Sequence, residues 1–337
     1  MNWFEALTGF QEESYEKTRA KLSLEGRELR SLVNGRTYEV GQFELLSLAQ
    51  LRERVASANG VHGQLKVGVV VGDVRQMHRA RANADALFQV ASQFNMLEMI
   101  SPNVTPEDGV GRYENDHTQG PSCAMAAGAA TIYRNYFVPV QGEVGQTANR
   151  QLDGLAALGM ALSEALDKPI DTLWQMRNGY ALCDRPALDC IVSHLGNLLP
   201  HDLDALRAKL CIGLHWDTEV TDLRLPSKQH VSQAFCSALP VSYSPVPAPC
   251  WRDFAVLVLE AAYEATLWSA VLNAARGASN VVFLTLLGGG AFGNNQEWII
   301  GAMERAFRMV SSFEIEVRIV SFDDPAPAVL RLDDAFR

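Results

Sequence analysis

The sequence predicts an α/β fold in which helices pack on a central sheet. Short apolar runs typical of buried strands recur along the chain, and segments with helical spacing separate them. A long helix predicted over residues 254–275 is apolar on most of its faces, so we expect other elements to enclose it. A glycine-rich stretch after the run at 281–287 leads directly into another helix, which is typical of folds that bind ligands where their strands end.

Residues 1–60 are predicted to be rich in helix, with one strand. The β-type run at 35–41 is bounded by glycines and supplies that strand. The run at 65–71 is nearly all apolar, which predicts a strand covered on both faces. Between these two runs, residues 45–57 have helical spacing at Leu45, Leu48, Leu51 and Val55.

The rest of the chain continues the alternation of strands and helices. A short apolar run at 85–91 is followed by the polar loop 101–120 and by a small-residue helix from about Ser122. Residues 148–212 are mostly helical by pattern. No internal repeat and no flexible linker divides the chain. Further strands are predicted at 210–216, 233–243, 281–287 and 314–322.

The composition indicates a folded protein that does not bind nucleic acid. Of the 337 residues, 48% are hydrophobic and 20% are charged, which is enough apolar material for a full core. The formal net charge is −10, from 29 Lys and Arg residues against 39 Asp and Glu residues, whereas a protein that binds nucleic-acid phosphates has a basic face. Binding of a small anionic ligand is not excluded by this charge, because backbone amides bind phosphate without net positive charge.

Metal, membrane and secretion signals are not predicted. The six cysteines form no C-x-x-C pair and the seven histidines form no H-x-x-x-H pair, so we expect no metal site. No run of about 18 uncharged apolar residues predicts a transmembrane helix. The first residues lack the basic and apolar regions of a signal peptide. We therefore expect reduced thiols and a cytoplasmic protein, and a secreted effector without a cleaved signal has the same pattern.

The glycine-rich stretch is the strongest candidate for a ligand loop. It contains Gly288, Gly289, Gly290, Ala291, Phe292 and Gly293, between a predicted buried strand and a predicted helix. Glycines allow the backbone to approach a ligand closely, and the amides with the helix N-terminus suit a diphosphate. Phe292 is free to stack on a sugar or a base. The alternative is an ordinary tight turn between strand and helix.

A second candidate follows the valine-rich strand, at Asp73 and Val74. An acid at the end of a strand is well placed to accept a hydrogen bond from an amino group, such as that of adenine. The alternative is an aspartate that caps a turn or a helix, and for Asp73 taken alone this alternative is favoured.

The acidic loop 101–120 is the candidate for the catalytic groups. It holds four acids and one base, and Glu107, Asp108 and Asp116 are the acids we single out. Clustered carboxylates supply a general base or hold a cation, whereas a solvated turn is the competing interpretation. The loop runs through Gln119 and Gly120 into a helix whose amides offer a second phosphate cradle.

Two other kinds of nucleophile are weaker candidates. Cys123 lies near the predicted helix start, where a thiol pKa can fall, but only His117 is placed to assist it. The stretch 120–124 lacks the final glycine of a nucleophile elbow, which argues against a serine hydrolase.

Taken together, these motifs resemble those of the macrodomains, an α/β family that binds ADP-ribose. Residues 72–74 resemble the "GDI" element after a macrodomain strand, and residues 85–92 resemble "DAIVNAAN". Ala291-Phe292-Gly293 matches the Gly-aromatic-Gly diphosphate loop, and GGGAFGNN is similar to "GCGAFGGD" of the poly(ADP-ribose) glycohydrolases. The matched stretches cover roughly residues 60–140 and 230–322.

Within that superfamily, the acidic segment resembles the MavL-type macrodomains. These proteins remove ADP-ribose from arginine, including arginine on ubiquitin. The segment comprises Asn95, Glu107-Asp108-Gly109, Tyr113, Asp116 and Thr118-Gln119-Gly120-Pro121. The resemblance implies an ADP-ribosyl-arginine hydrolase whose partner is an ADP-ribosylated protein and which needs no cofactor. A non-catalytic ADP-ribose reader and a hydrolase of another ADP-ribose derivative remain the alternatives.

The resemblance also implies an architecture and a set of site residues. The architecture is a three-layer α/β/α fold with a mixed central sheet, in which 1–60 is an extension packed on the core and 61–337 is the macrodomain, with a helical insertion at about 141–230. Asp108, Asp116 and Glu107 are the implied catalytic carboxylates. The implied ligand-binding residues are Asp73, Val74, Asn95, Gln119, Gly120, Gly288, Gly289, Gly290, Ala291, Phe292 and Gly293.

Two departures from the family pattern bear on activity. Ser92 stands where the motif has its last asparagine. No Gln-Glu-Glu follows a triple glycine in the first ligand loop, and the Gln-Glu-Glu at 11–13 lies far upstream in a predicted helical context. The first departure leaves open which residue contacts the distal ribose, and the second argues against cleavage of poly(ADP-ribose) chains.

Overall fold

The computed structural model describes residues 2–58, 61–223 and 228–336. The strands in these ranges are β1 (Leu22–Glu25), β2 (Glu28–Ser31), β3 (Thr37–Glu39), β4 (Gln42–Ser47), β5 (Lys66–Val71), β6 (Leu87–Ala91), β7 (Pro139–Val140), β8 (Glu143–Val144), β9 (Gln175–Arg177), β10 (Tyr180–Leu182), β11 (Cys211–Glu219), β12 (His230–Cys236), β13 (Val281–Leu284) and β14 (Glu316–Ser321). The α-helices are α1 (Trp3–Thr8), α2 (Tyr15–Ala20), α3 (Leu48–Ser57), α4 (Val74–Arg79), α5 (Gln119–Ala126), α6 (Gly128–Tyr136), α7 (Ala156–Leu166), α8 (Arg185–Gly196), α9 (Pro200–Arg207), α10 (Arg252–Ala275), α11 (Gln296–Met309) and α12 (Pro327–Ala335).

A mixed seven-stranded sheet lies at the centre, in the order β4-β11-β12-β6-β13-β14-β5. From β12 to β5 all neighbours are parallel, whereas β11 is antiparallel to both β4 and β12. Parallel neighbours need long crossovers, and the helices supply them. The carboxyl ends of β12, β6 and β13 therefore meet at one edge of the sheet.

Alternating side chains divide the sheet between two helical layers. Leu87, Ala234 and Val282 pack in the core that contains α10 and α11. Their chain neighbours Phe88, Phe235 and Phe283 point to the other face, which α4 and α5 cover through Val74 and Cys123. The predicted three-layer α/β/α fold with a mixed sheet is confirmed.

Helix α10 is enclosed by other elements on several sides. It confirms the prediction at 254–275, and it packs on α3, α8, α9 and α11 as well as on β6, β12 and β13. By length and composition the stretch Ala248–Ala275 could cross a membrane, but 78% of its apolar window is buried inside the protein. Its apolar surface is therefore explained by packing in the core.

The valine-rich run at 65–71 forms β5, but the predicted cover on both faces is only partial, because Val67 is the one residue of β5 that is buried. β5 lies at the edge of the sheet, with β14 as its only paired neighbour among the described strands. Val71 is 57% exposed. β-branched residues suit edge and central strands alike, so composition alone did not distinguish them.

Residues 1–60 contain more strand than predicted. β1, β2 and β3 form an antiparallel sheet of their own, and β4 joins the main sheet beside β11. The helix predicted from Leu45 begins at Leu48, because Ser47 and Gln50 form a capping box that ends β4 and starts α3. The strand β11, which lies inside the 141–230 stretch, pairs with both β4 and β12, and β9 and β10 form a hairpin in the same stretch.

We predict that Phe88→Ala destabilises the fold strongly. The Phe88 ring stacks between His78 at 3.7 Å and Phe283 at 4.4 Å, so its loss opens a cavity and should lower the free energy of unfolding by about 3–5 kcal/mol. Urea unfolding measures the change. The control, Phe322→Ala, removes a ring that is 73% exposed and should change stability by less than about 0.5 kcal/mol. Equal urea midpoints of unfolding for the two variants would contradict the tight packing of Phe88 between His78 and Phe283.

Candidate functional site

A cavity of about 380 Å³ lies at the carboxyl ends of β6, β12 and β13. Its walls come from segments that follow these strands, with Ser92 and Gln93 after β6, Ala238 after β12, and Thr285 to Gly288 after β13. This volume falls within the range of small-molecule sites. The position also agrees with the rule that α/β proteins bind ligands beyond the carboxyl ends of their strands.

The predicted glycine loop forms one wall of the cavity. Gly288, Gly290, Ala291 and Phe292 line it, and the loop leads into α11 as expected. Gly289 and Gly293 were also predicted to bind ligand, but neither lines the cavity. Their amides close turns, on Leu286 O and Gly290 O respectively.

Two glycines of this loop are required by the backbone and by packing. Gly288 and Gly293 have φ of +74° and +70°, and a Cβ on either would overlap a side chain, that of Ala238 or Ser242. Asn294 fixes the loop, because its Nδ2 donates to Leu239 O at 2.8 Å and its amide donates to Gly288 O.

Three aromatic rings connect the glycine loop of the cavity wall with the 141–230 stretch, which contains Tyr180. The Phe292 ring lies 5.2 Å from that of Tyr180 and 5.6 Å from that of Tyr243, and the two tyrosine rings are 5.1 Å apart. Tyr180 is anchored by its hydroxyl, which donates to Met99 O at 2.7 Å. Sequence reasoning missed both tyrosines, because they are remote along the chain and nothing in their local sequence marks them.

The opposite wall is the start of α5, held tightly against the end of β6. The Gln119 side chain accepts from Ala91 N at 2.8 Å and donates to Gln89 O at 2.7 Å. A Cβ on Gly120 would overlap Ala91 O and would lie 3.1 Å from Cγ of Glu98. Both predicted residues line the cavity, and both also join helix to strand.

Asp116 is the predicted carboxylate that lines the cavity. Its Oδ1 accepts from Thr118 N at 2.9 Å and from Thr118 Oγ1 at 2.7 Å. These bonds orient the carboxylate at the start of α5, next to Gln119 and Gly120.

Glu107 and Asp108 do not join Asp116 at the cavity. Asp108 Oδ2 accepts from Thr105 N and from Thr105 Oγ1, and so closes the turn Pro106–Asp108. Both carboxylate oxygens of Glu107 accept from Ala148 N. The predicted cluster of three carboxylates is therefore divided, because local turn bonds occupy two of them.

Asp73, Val74 and Asn95 also have structural partners away from the cavity lining. Asp73 accepts from Arg75 N at 2.8 Å and caps α4, which is the alternative that the sequence left open. Val74 is buried in the core between sheet and helices. Asn95 is fully buried, and its Nδ2 donates to Gln151 Oε1 at 2.8 Å.

Glu98 lines the cavity and was not predicted. The side chain is buried, and its Oε1 accepts from Arg134 Nη2 at 3.3 Å. Its Oε2 has no hydrogen-bond partner among the described residues. Burial raises the pKa of Glu98 to about 7, against the lowering effect of Arg134. The available signal was a single glutamate within the apolar run Met96-Leu97-Glu98-Met99-Ile100.

Arg134 carries the matching charge and is itself wholly buried on α6. Its Nε donates to Met96 O at 3.0 Å, and its guanidinium lies 3.8 Å from the centre of the Phe235 ring. A buried ion pair of this kind needs further hydrogen bonds to be stable, and Met96 O and Thr131 Oγ1 supply two of them, while Arg134 Nη1 has no hydrogen-bond partner among the described residues.

Glu12 braces the loop that carries Asp116. It lies between α1 and α2 rather than in a helix, which corrects the predicted context of 11–13. Its carboxylate accepts from Val110 N at 2.9 Å, Gly111 N at 2.6 Å and Tyr136 Oη at 2.7 Å. Burial raises the pKa of Glu12 despite these bonds.

The cysteine interpretation is wrong. Cys123 is fully buried in the core, and burial raises the pKa of its thiol well above the ordinary value, so a thiolate nucleophile is disfavoured. Within the described residues, no group of three or more His, Cys, Asp and Glu side chains could hold a metal ion.

Comparisons with known proteins give structural likeness only. No family model matches the sequence, and no curated protein matches it. Similar solved structures include poly(ADP-ribose) glycohydrolase from Thermomonospora curvata, with TM-score 0.43 and 13% identity over 99% of this chain and 98% of that one. The same enzyme bound to the inhibitor ADP-HPD has TM-score 0.43 and 13% identity over 95% of each chain. The glycohydrolase from Deinococcus radiodurans in complex with ADP-ribose has TM-score 0.42 and 13% identity over 87% of this chain and 93% of that one. Likeness at this level leaves function to be argued from the cavity.

We predict that Gly120→Ala lowers stability, because the added Cβ must push α5 away from Ala91 O. Overpacking of this kind costs about 1–3 kcal/mol, to be measured by urea unfolding. The matched control is Gly301→Ala in α11, where an added Cβ meets nothing within 4 Å. Alanine there should raise stability, by up to about 1 kcal/mol. If Gly120→Ala unfolds at the same urea midpoint as wild type, the start of α5 is not tightly packed against the end of β6.

We predict that Glu12→Ala loosens the acidic loop. Removing the carboxylate leaves the amides of Val110 and Gly111 without their acceptor, so their hydrogen exchange should become about tenfold faster or more. Mass-spectrometric hydrogen exchange measures this change. Glu13→Ala removes an adjacent carboxylate on the surface and should leave exchange at these two amides unchanged. Unchanged exchange in Glu12→Ala would refute the bracing role.

Proposed function

We propose that this protein is an ADP-ribosyl hydrolase that cleaves the N-glycosidic bond between ADP-ribose and a protein arginine. The observation that carries the proposal is that Asp116 and the loop from Gly288 to Phe292 line the same cavity. One bound molecule could thus contact both the loop that recognises its diphosphate and the carboxylate that assists bond cleavage.

Backbone amides are the proposed diphosphate donors. The loop before α11 lies on one wall, and the start of α5 at Gln119 and Gly120 lies on the other. Amides at the start of a helix favour anions, and glycines let the backbone approach the phosphates closely. The acidic net charge of the chain does not oppose this mode of binding, because no basic side chain is required.

The aromatic rings of Phe292, Tyr180 and Tyr243 are the proposed surface for a ribose. Sugar rings pack through their C–H faces against such rings, and the three rings are close enough to form one apolar surface. Among the residues expected from the motifs, Asp73, Val74, Asn95, Glu107 and Asp108 have structural partners, and the proposal assigns them no ligand contact.

The chemistry requires a carboxylate near the anomeric carbon of the distal ribose. Departure of the leaving group develops oxocarbenium-like positive charge, which Asp116 is proposed to stabilise. Arginine suits such a site because its guanidinium pairs with carboxylates. An arginine adduct is already cationic and departs as a neutral guanidine, so a strong general acid is not needed.

The proposed partners follow from the motif resemblance. They are ADP-ribosylated proteins, with ubiquitin among the candidate substrates, and the proposed ligand and product is ADP-ribose without a further cofactor. Free thiols at all six cysteines agree with a reducing compartment such as the cytoplasm. A non-catalytic reader could use the same glycine loop, but it has no need of Asp116 in the cavity.

We predict release of ADP-ribose from arginine-ADP-ribosylated protein and not from serine-ADP-ribosylated protein or poly(ADP-ribose). Asp116→Asn should lower kcat by about 10²-fold or more, because it removes the charge that stabilises the transition state. Chromatography of released ADP-ribose measures the rates, and calorimetry measures ADP-ribose binding.

Two further variants serve as comparisons for Asp116→Asn. Asp253→Asn removes a surface carboxylate at the start of α10 and should keep full activity. Asp108→Asn tests whether the second motif aspartate contributes despite its turn bonds. Binding of ADP-ribose without release from any substrate would make the protein a reader, and absence of binding would end the ADP-ribose proposal.

A further inference from the structure

Glu98 differs from the buried Glu264 and from the half-buried Glu12 in its unused hydrogen-bonding capacity. Both oxygens of Glu264 bind arginines, Arg52 and Arg305, at 2.6 Å. Both oxygens of Glu12 bind backbone amides. Oε1 of Glu98 accepts from Arg134 and the Tyr113 hydroxyl also interacts with the carboxyl group, but Oε2 has no hydrogen-bond partner within the part of the chain that the structure describes.

An unengaged buried carboxylate oxygen is costly unless something else binds it. Leaving a buried polar group unsatisfied costs about 1–3 kcal/mol, and more for a charged group. Glu98 is part of the cavity wall, so a molecule in the cavity lies next to this residue. The cost is therefore explained if that oxygen binds substrate or water during the reaction.

The side chain is also held rigidly, as a catalytic group must be. The amide of Glu98 donates to the Tyr113 hydroxyl at 3.0 Å. Arg134 is fixed in turn by Met96 O and by Thr131 Oγ1. On the remaining side, the absence of a side chain at Gly120 leaves room for the carboxyl group.

Three groups from different elements face Glu98. Arg134 on α6 and the Tyr113 hydroxyl favour its ionised form and lower its pKa, and the third group is the Cys123 thiol on α5. Burial dominates and raises the pKa of Glu98 to about 7. A base with a pKa near the working pH can both accept and return a proton.

We propose that Glu98 is a catalytic residue that takes a proton from the attacking water, a role that rests on the proposed hydrolase function. Water oxygen forms a bond to the anomeric carbon as the bond from that carbon to the guanidine nitrogen breaks. The bonding pair leaves with the nitrogen and gives a neutral guanidine. The water proton passes to Oε2 of Glu98, and then to the guanidine or to solvent, so the carboxylate is regenerated.

The test compares wild type, Glu98→Gln and Glu98→Asp on arginine-ADP-ribosylated protein across pH 5–9. Glu98→Gln should lower kcat by about 10²–10⁴-fold. Its ADP-ribose Kd by calorimetry should stay within a few-fold of wild type, because the amide oxygen still accepts from Arg134. Wild-type kcat should fall as pH drops below about 7, since the protonated carboxyl cannot accept a proton, and the residual activity of Glu98→Gln should lack this fall.

Glu98→Asp keeps the charge opposite Arg134 but withdraws the carboxylate from the cavity, so it should lose kcat while KM changes little. Glu304→Gln, which removes an exposed carboxylate of α11, is the matched control and should behave as wild type. The inference is overturned if both Glu98 variants keep the kcat and the pH profile of wild type. It is also overturned if both variants lose ADP-ribose binding, because that result indicates a purely structural role. If wild type itself releases no ADP-ribose, it is the proposed function that fails.

Discussion

The position of β6 at the centre of the sheet is the constraint on which the site depends. β6 pairs with β12 on one side and with β13 on the other, and every one of its residues except Ala91 is buried. Its last residue meets the start of α5 through Gln119 and Gly120, and the chain beyond it leads to Glu98. The two flanking strands end beside it, so the cavity is bounded by three strand ends and one helix start. A one-residue slip of β6 would exchange the side chains that it presents to the two helical layers, and the packing against this exchange fixes the geometry of the walls.

Buried charge is the second organising feature of the molecule. Arg134 and Glu98 lie in the interior, and removing one partner of such a pair typically costs about 3–5 kcal/mol because the other charge is left uncompensated. Glu12 supplies acceptors to a loop whose amides would otherwise lack partners. These groups belong to separate parts of the chain, yet all of them support the wall that carries Asp116. Buried charge thus helps to position the walls of the cavity.

The sequence pattern predicted the elements whose own residues carry a clear local signal. The long apolar helix, the strand at 85–91 and the loop at 288–293 were all identifiable, because burial on every side or a run of glycines leaves a local trace. The edge position of β5 and the small sheet of β1 to β3 were missed, since pairing partners are not encoded in the residues of the strand itself. Glu98, Tyr180 and Tyr243 were missed for a related reason: each becomes a site residue only when distant segments converge. Glu107 and Asp108 were expected at the site because they are close to Asp116 in sequence, but turn bonds direct them elsewhere.

The contacts of Glu12 have a consequence for how the molecule assembles. Its partners Gly111 and Tyr136 lie 99 and 124 residues further along the chain, and the register that joins Leu46 to Ile212 spans a still longer separation. Closing such long loops costs chain entropy before any contact compensates for it, so a fold with this contact order forms slowly. On the ribosome the N-terminal segment emerges first and must wait for its partners. We therefore expect the N-terminal segment to become ordered only after residues 110–136 have emerged, so that it completes the loop that carries Asp116 and does not nucleate the fold.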